Sequence, residues 1–516
     1  MKKISIVTLF SLILLKANAQ APEIEWQHCY GGTYFEQANS IQQTLDGGYI
    51  IAGKTSSNDE DVTGNHGLQT IVDFWIVKID HLGILQWQKC LGGTSDDLAM
   101  SIKQTSDGGY ITAGYTFSNN GDVTGNHGHY DYWVVKLNEN GGIQWQKTYG
   151  GSKWDQANSI ELTSDGGYII AGYTCSNNGD VTGFHSNSSD FSDFWIVKIN
   201  SLGAIEWQKA LGSSGGEEAN SIKQTSDGGY IIAGKTTIPA TMAIPDGNVT
   251  NNHGGSDFWI VKLSSSGTIE WQKSHGSNGY EEAFEIQQTW DGGFIVSGYK
   301  DSDYWLVRLS WAGIIEWEKQ YGGWWGLDYA YSLDQVNDGG FVLAGVSYSN
   351  DTSVTGNHGL DDCWVIKTDG FGNLKWQKSF GGSVHEDAKY IHQTSDGGFI
   401  IAGYTSSNDG DITINHGYDD FWIIKLYPTP AGTVENILNN KITVYPNPTS
   451  SEFIINWEGE TIKQVKVFNL LGEIIFQDIL NNQQTRVYLN KQPKGIYFVE
   501  VTDQNKNVFN KKIILE

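Results

Sequence analysis

Seven acidic residues stand two positions before an alanine: Glu36, Asp97, Asp155, Glu217, Glu281, Asp328 and Glu386. Carboxylates are hard oxygen donors, and a ring of them around one axis would suit a cation such as calcium. Each also follows a Gly-Gly or Gly-Ser pair, as in GGTYFE ending at Glu36. A carboxylate after such a loop can accept hydrogen bonds from the loop's own amides, and sevenfold repetition favours that role. Six histidines, His66, His127, His185, His253, His358 and His416, close loops of DVTGNH type that begin at Asp61, Asp122, Asp180, Val249, Val354 and Asp411. Asp, Asn and His could ligate a metal, but no loop has the spacing or the bidentate Glu of an EF-hand. Loop-closing hydrogen bonds fit the pattern better. No cofactor is expected, and calcium is the one the acids would suit.

A second chemistry belongs to aromatic residues outside any regular pattern. Trp154, Tyr280, Trp324 and Trp325, with Tyr34 and Phe35, sit in polar loops beside Glu281 and Asp328. Rings next to carboxylates and amides suit sugars, whose C–H faces stack while their hydroxyls need polar partners. The bland alternative is that these rings cover a neighbouring element. Gly212 to Gly216, GSSGG, fits G-x-S-x-G, but a nucleophile elbow needs a following helix and a strand pattern follows here. No singular Ser/His/Asp, Cys/His or carboxylate pair marks a catalytic site.

These residues are carried by a repeat. A DGG turn, a strand such as YIIAGYT, a polar loop, DFWIVKL, a short turn and IEWQK recur seven times, the DGG triplets starting at Asp46, Asp107, Asp165, Asp227, Asp291, Asp338 and Asp396. Each unit offers four strands, A (ANSIQQT type), B, C (DFWIVKL type) and D (IEWQK type). Fourteen of the twenty tryptophans belong to the repeat, and from a C tryptophan to the D tryptophan that follows it is always twelve residues although the repeat itself varies from 46 to 64. This constancy predicts a C–D hairpin of fixed register with its two indoles close together.

Two tryptophans lack partners: Trp26 has no C strand before it and Trp422 no D strand after it. If they complete each other, the chain closes and no sheet edge is left exposed. The fold class expected is therefore all-β, a seven-bladed β-propeller closed by the N-terminal strand, followed by a small C-terminal β-sandwich. An open solenoid would need atypical capping repeats, and the end units match the middle ones. In such a ring the D-to-A and B-to-C loops share one face, with the acids around the channel mouth and the variable aromatics beside them. Unit five joins B to C through SGYKDSDYW with almost no loop, which predicts a notch in that rim. Units four to six are where binding is expected.

Lys2, Lys3, the apolar run Ile4 to Leu15 and Ala17-Asn18-Ala19 read as a signal peptide over 1–19. Its removal takes three lysines and moves the net charge from -26 to -29. A field of that sign repels nucleic acid and anionic lipid, and no apolar run is long enough for a transmembrane segment. Four cysteines, Cys29, Cys90, Cys175 and Cys363, lack CxxC spacing and read as buried thiols.

The domain boundaries expected are 1–19 leader, 20–427 propeller, 428–440 linker and 441–516 sandwich. In the last, Tyr445-Pro446-Asn447-Pro448, Asn469 to Gly472, Gly495-Ile496-Tyr497 and the lysine-apolar C-terminal strand resemble the C-terminal sorting domain of type IX secretion in Bacteroidetes. That resemblance implies the type IX secretion machinery as a partner, removal of the domain, and a secreted or outer-membrane cell-surface protein. The repeats are similar to DGG and DFW-type propeller repeats of secreted bacterial proteins, and resemble quinoprotein dehydrogenases in architecture alone. The function expected is a binding or interaction module for glycan or protein, with an extracellular polysaccharide-active hydrolase or lyase as the alternative.

Overall fold

Alternating and β-branched runs bounded by glycine turns dictate strands, and in the computed structural model no helix occurs among the described residues. Described are residues 20–428 apart from 69, 187–190, 238–246 and 325, then 442–445, 449–457, 462–469, 474–478, 484–490, 492–503 and 508–515. The expected leader, Trp325, Pro446 to Pro448 and all of the linker but its first residue lie outside the described residues. The chain divides after Tyr427 into two compact parts.

The first part holds, among the described residues, seven four-stranded antiparallel sheets. Unit one is typical, with strands A Glu36–Gln43, B Tyr49–Thr55, C Asp73–Ile79 and D Leu85–Leu91. In the last sheet Glu386–Gln393, Phe399–Thr405 and Asp420–Leu426 are completed by Ile24–Tyr30, with Cys29 opposite Trp422 and Trp26 opposite Lys425. Each A strand touches the A strand of both neighbours, Glu36–Gln43 against Glu386–Gln393 included, so the sheets form a closed ring with strand A innermost.

The hydrophobic core lies between sheets rather than within them. Phe74 and Ile76 of unit one pack with Trp133 and Val135 of unit two, and Phe421 and Ile423 of the last unit pack with Trp75 and Val77 of the first. Strand C therefore buries both faces, which is why its sequence is a nearly unbroken apolar run. The aromatic before each C tryptophan meets the next unit's indole, as in Phe74–Trp133 at 4.5 Å and Phe258–Trp305 at 4.3 Å between ring centroids. Cys363 takes that place in unit six and packs in the cluster that contains Trp422.

The two indoles of a hairpin are not side by side. Trp75 pairs with Cys90 and Trp87 with Lys78, so the C indole reaches the glutamine after the D tryptophan, Trp75 Nε1 donating to Gln88 Oε1 at 2.9 Å. Trp87 faces the next unit instead, 5.9 Å from Tyr110. Strand A carries a bulge, at Ala157/Ser159 in unit three, and there a glycine of strand B must pass close: a Cβ on Gly172 would lie 1.9 Å from the Gln156 carbonyl. The DGG turns are clamped by the lysine of strand C, Lys136 Nζ lying 2.9 Å from Asp107.

The second part contains, among the described residues, two antiparallel sheets. One orders Ile442–Tyr445, Glu452–Trp457 and Gln484–Tyr488, the other Ile474–Asp478, Ile462–Phe468, Gly495–Asp503 and Val508–Leu515. Phe453, Ile455 and Val487 from the first share one buried cluster with Val465, Val467, Tyr497, Val499 and Ile513 from the second.

Candidate functional site on the loop face

The seven repeated acids do not line the channel. All are fully buried. Each is held by its own loop: Glu36 accepts from the Gly32 amide at 2.8 Å and Thr55 Oγ1 at 2.7 Å, and Asp155 from the Gly151 amide at 2.7 Å and Ser176 Oγ at 2.9 Å. Glu217, Glu281, Asp328 and Glu386 accept in the same way from the amides of Ser213, Ser277, Gly323 and Gly382. Burial pushes the carboxyls of Asp97, Asp155 and Glu217 up to about 7 against these lowering hydrogen bonds, with the aspartate that opens the preceding C strand adding to the rise. The channel wall is built from other A-strand positions, among them Asn39, Met100, Asn158, Asn220, Tyr331 and Lys389. Lys103, Glu161, Lys223 and Glu285 run around it as ion pairs of 3.3, 3.7 and 3.4 Å.

The loop histidines close the second half of six of the seven junctions. His127 Nδ1 lies 2.6 Å from Asp131 Oδ2, and its amide donates to the same oxygen at 2.9 Å. His66, His185, His358 and His416 repeat this geometry at 2.6 to 2.7 Å on Asp73, Asp193, Asp362 and Asp420, and His253 lies 3.3 Å from Asp257. No group of three or more metal-ligating side chains occurs among the described residues. Cys90, Cys175 and Cys363 are buried and Cys29 half-buried, all unbridged.

The repeat varies most one residue before each acid. Phe35, Asp96, Trp154, Gly216, Tyr280, Leu327 and His385 occupy this position. The backbone there is stapled to the preceding unit: the Asp155 amide donates to the Tyr130 carbonyl at 2.7 Å, and the Glu36 amide to the Asp419 carbonyl at 2.8 Å. A uniform scaffold thus presents one free choice of side chain per junction. Trp154 is 50% exposed, Tyr280 67% and Phe35 45%, the last stacked on Tyr418 at 4.9 Å. Of the sequence-derived candidates, Trp154 and Tyr280 share this position, Glu281 and Asp328 lie buried beneath the loops, and Trp324 is 83% exposed on an inserted loop where its amide bonds Asp351 at 2.6 Å.

The notch of unit five is a two-residue turn, Asp301 and Ser302, both at positive φ. The larger concavity is elsewhere. His129, Lys153, Trp154, Tyr173, Cys175, Phe191, Ser192 and Glu218 line a cavity of about 700 Å³ drawn from units two, three and four. Of these only Trp154 was marked by sequence. Of the rest, the aromatic run HYDY at 129–132 signals only His129.

Residues 443–516 match the Secretion system C-terminal sorting domain family. The C-terminal part is a secretion sorting domain. Its presence marks the chain for type IX export to the cell surface or beyond. Tyr445 and Tyr497 of the sorting motif fall in strands, Tyr445 44% exposed and Tyr497 buried, and Gly495 opens the longest strand of this part. No described helix is long and apolar enough to cross a membrane.

Two curated proteins are similar over short stretches. The endo-acting ulvan lyase of Formosa agariphila is 32% identical over 81 residues, 16% of each chain, and the ulvan lyase NLR42 of Nonlabens ulvanivorans is 29% identical over 75 residues, 14% of each. The chain thus spans about a sixth of the length of these relatives. Among solved structures, the Pan2 WD40 domain of Neurospora crassa has a TM-score of 0.40 at 11% identity, covering 75% of this chain and 88% of that one. PorZ, a surface component of the type-IX secretion system of Porphyromonas gingivalis, has a TM-score of 0.17 at 9% identity, covering 95% and 100%.

Proposed function

We propose that this is a seven-bladed β-propeller followed by a β-sandwich sorting domain, displayed outside the cell as a binding module for glycan, with the loop face as the binding surface. The observation that carries this reading is the position before each buried acid, where a rigidly stapled backbone offers Trp154 and Tyr280 to solvent. Exposed rings on a fixed frame lose little entropy on binding and suit the apolar face of a pyranose. The net charge of -26 disfavours nucleic acid and anionic lipid as the target. A glycan array combined with product analysis on polysaccharides tests it: retention without turnover is expected, and turnover would replace it with the enzyme reading.

That second reading, a polysaccharide-active hydrolase or lyase, draws on the short similarity to two ulvan lyases. The matched stretches are about the length of the sorting domain alone, which favours shared export over shared catalysis.

A further inference from the structure

Resting on the glycan-binding reading, we propose that the primary site is the cavity around Trp154, between units two, three and four, and that it takes a neutral pyranose residue of an oligosaccharide. The cavity of about 700 Å³ falls inside the range of about 300–1,000 Å³ typical of small-ligand sites. A protein partner would instead need a broad surface of roughly 800 Å² on each side.

Its walls combine the two things a sugar requires. Trp154, Tyr173 and Phe191 supply rings, and Lys153, Ser192 and Glu218 supply polar groups. The indole of Trp154 is set edge-on against His129 and Tyr130, at 68° and 75°, so neither ring stacks over it. It stays 50% exposed despite both contacts. At the same position in the first junction Phe35 is covered by the parallel ring of Tyr418, at 20°, and in the last His385 is paired with Asp361. The cavity of unit one, about 560 Å³, carries the single aromatic Tyr34.

The platform is also pre-positioned. The Cys175 amide donates to the Trp154 carbonyl at 2.8 Å, the Lys153 amide to Ser176 Oγ at 3.0 Å, and the Asp155 amide to Tyr130 at 2.7 Å. The Glu218 carboxylate is steadied by Lys235 at 2.9 Å, which leaves acceptor lone pairs for vicinal hydroxyls. Lys153 lines the same wall and can donate to a sugar oxygen. Lys153 and Lys235 are matched by Glu218 and Glu282, so the site is balanced locally while the protein around it is strongly acidic. Anionic sugars meet repulsion on approach, and neutral ones do not.

The test is calorimetric titration of the full chain with neutral oligosaccharides (gluco-, manno-, xylo- and galacto-series) and with oligouronates, repeated on Trp154→Ala, Lys153→Ala and Tyr280→Ala. One neutral series should bind, Trp154→Ala should weaken it by about tenfold or more, and Lys153→Ala and Tyr280→Ala should each weaken it less than Trp154→Ala does. Melting temperatures, expected to be close to wild type because Trp154 is half exposed, exclude unfolding as the cause; if Trp154→Ala does unfold, Lys153→Ala and quenching of wild-type tryptophan fluorescence decide. Undiminished binding by Trp154→Ala and Lys153→Ala, or loss at Tyr280 instead, overturns the site while leaving the glycan-binding reading. Binding of oligouronates alone overturns the neutral class. No binding to any glycan overturns both.

Discussion

The indole Nε1 of Trp422 donates to Gln27 Oε1 at 2.6 Å across 395 residues of chain. Six hairpins make the same bond across 13 residues, with Glu318 as acceptor in unit five. Gln27→Leu leaves this N–H without its acceptor and should cost about 1–3 kcal/mol, whereas Gln27→Glu, which reproduces unit five, should cost less. Thermal denaturation of both variants checks this, and removal of residues 20–28 should lower the midpoint further because a full edge of the last sheet is lost.

Gly166 and Gly172 lie six residues apart and should differ sharply in their response to an added methyl. Gly166 has φ of +83° with open space around the position a Cβ would take, so Gly166→Ala meets backbone strain of about 1 kcal/mol and no clash. Gly172→Ala drives its methyl to 1.9 Å from a carbonyl at the bulge and should cost about 3 kcal/mol or more. Urea titration of the two variants is the measurement.

Stability should peak in mildly acidic solution. The carboxyls of Asp97, Asp155 and Glu217, raised to about 7, and that of Asp362, raised to about 6, bind protons in the folded ring that the unfolded chain releases at its ordinary carboxylate range. Their contribution is complete below about pH 4 and is lost as pH rises toward 7. Asp107, Asp165 and Asp227, lowered to about 2 by hydrogen bonds and their strand-C lysines, act in reverse and withdraw support as pH falls below 4. The urea midpoint should therefore be higher at pH 5 than at pH 8 or pH 2.5, and a flat profile would contradict the buried carboxyls.

Asp131 is the anchor of its loop. Asp131→Ala removes the acceptor of both His127 groups and should destabilise by about 1–3 kcal/mol. Loop amides around residues 122–130 should then exchange faster with deuterium. His127→Ala keeps the buried carboxylate's other environment and should cost about 1 kcal/mol or less, as the imidazole is 40% exposed.

What could be read from sequence was whatever is local or strictly repeated. The union of the Trp26 and Trp422 strands followed from a twelve-residue spacing, and the loop role of Glu36 and its equivalents from their Gly-Gly neighbours. Lys78 and its counterparts escaped notice, because a lysine at the end of an apolar run looks like a solvated terminus, yet it is 2% exposed and reaches the Asp46 carboxylate at 3.0 Å. The Trp154 cavity escaped for another reason. Its walls come from units two, three and four, and residues such as His129, Tyr173 and Glu218 converge only when neighbouring sheets are packed face to face. The expectation of binding near units four to six rests on the short B-to-C connection of unit five and on Trp324 and Trp325, and one-dimensional spacing says nothing about concavity.

Strand Ile24–Tyr30 is held by strand Asp420–Leu426, and Glu25 meets Lys425 at 3.1 Å over 400 residues. Such a clasp cannot form while the repeats are still emerging from a ribosome or a membrane pore. The polypeptide must stay unlatched, and so remain threadable, until strand Asp420–Leu426 is free, with the sorting domain following only after Tyr427. Ring closure therefore comes last by connectivity: a product truncated before Asp420 leaves strand Ile24–Tyr30 without its partner and keeps an unpaired sheet edge.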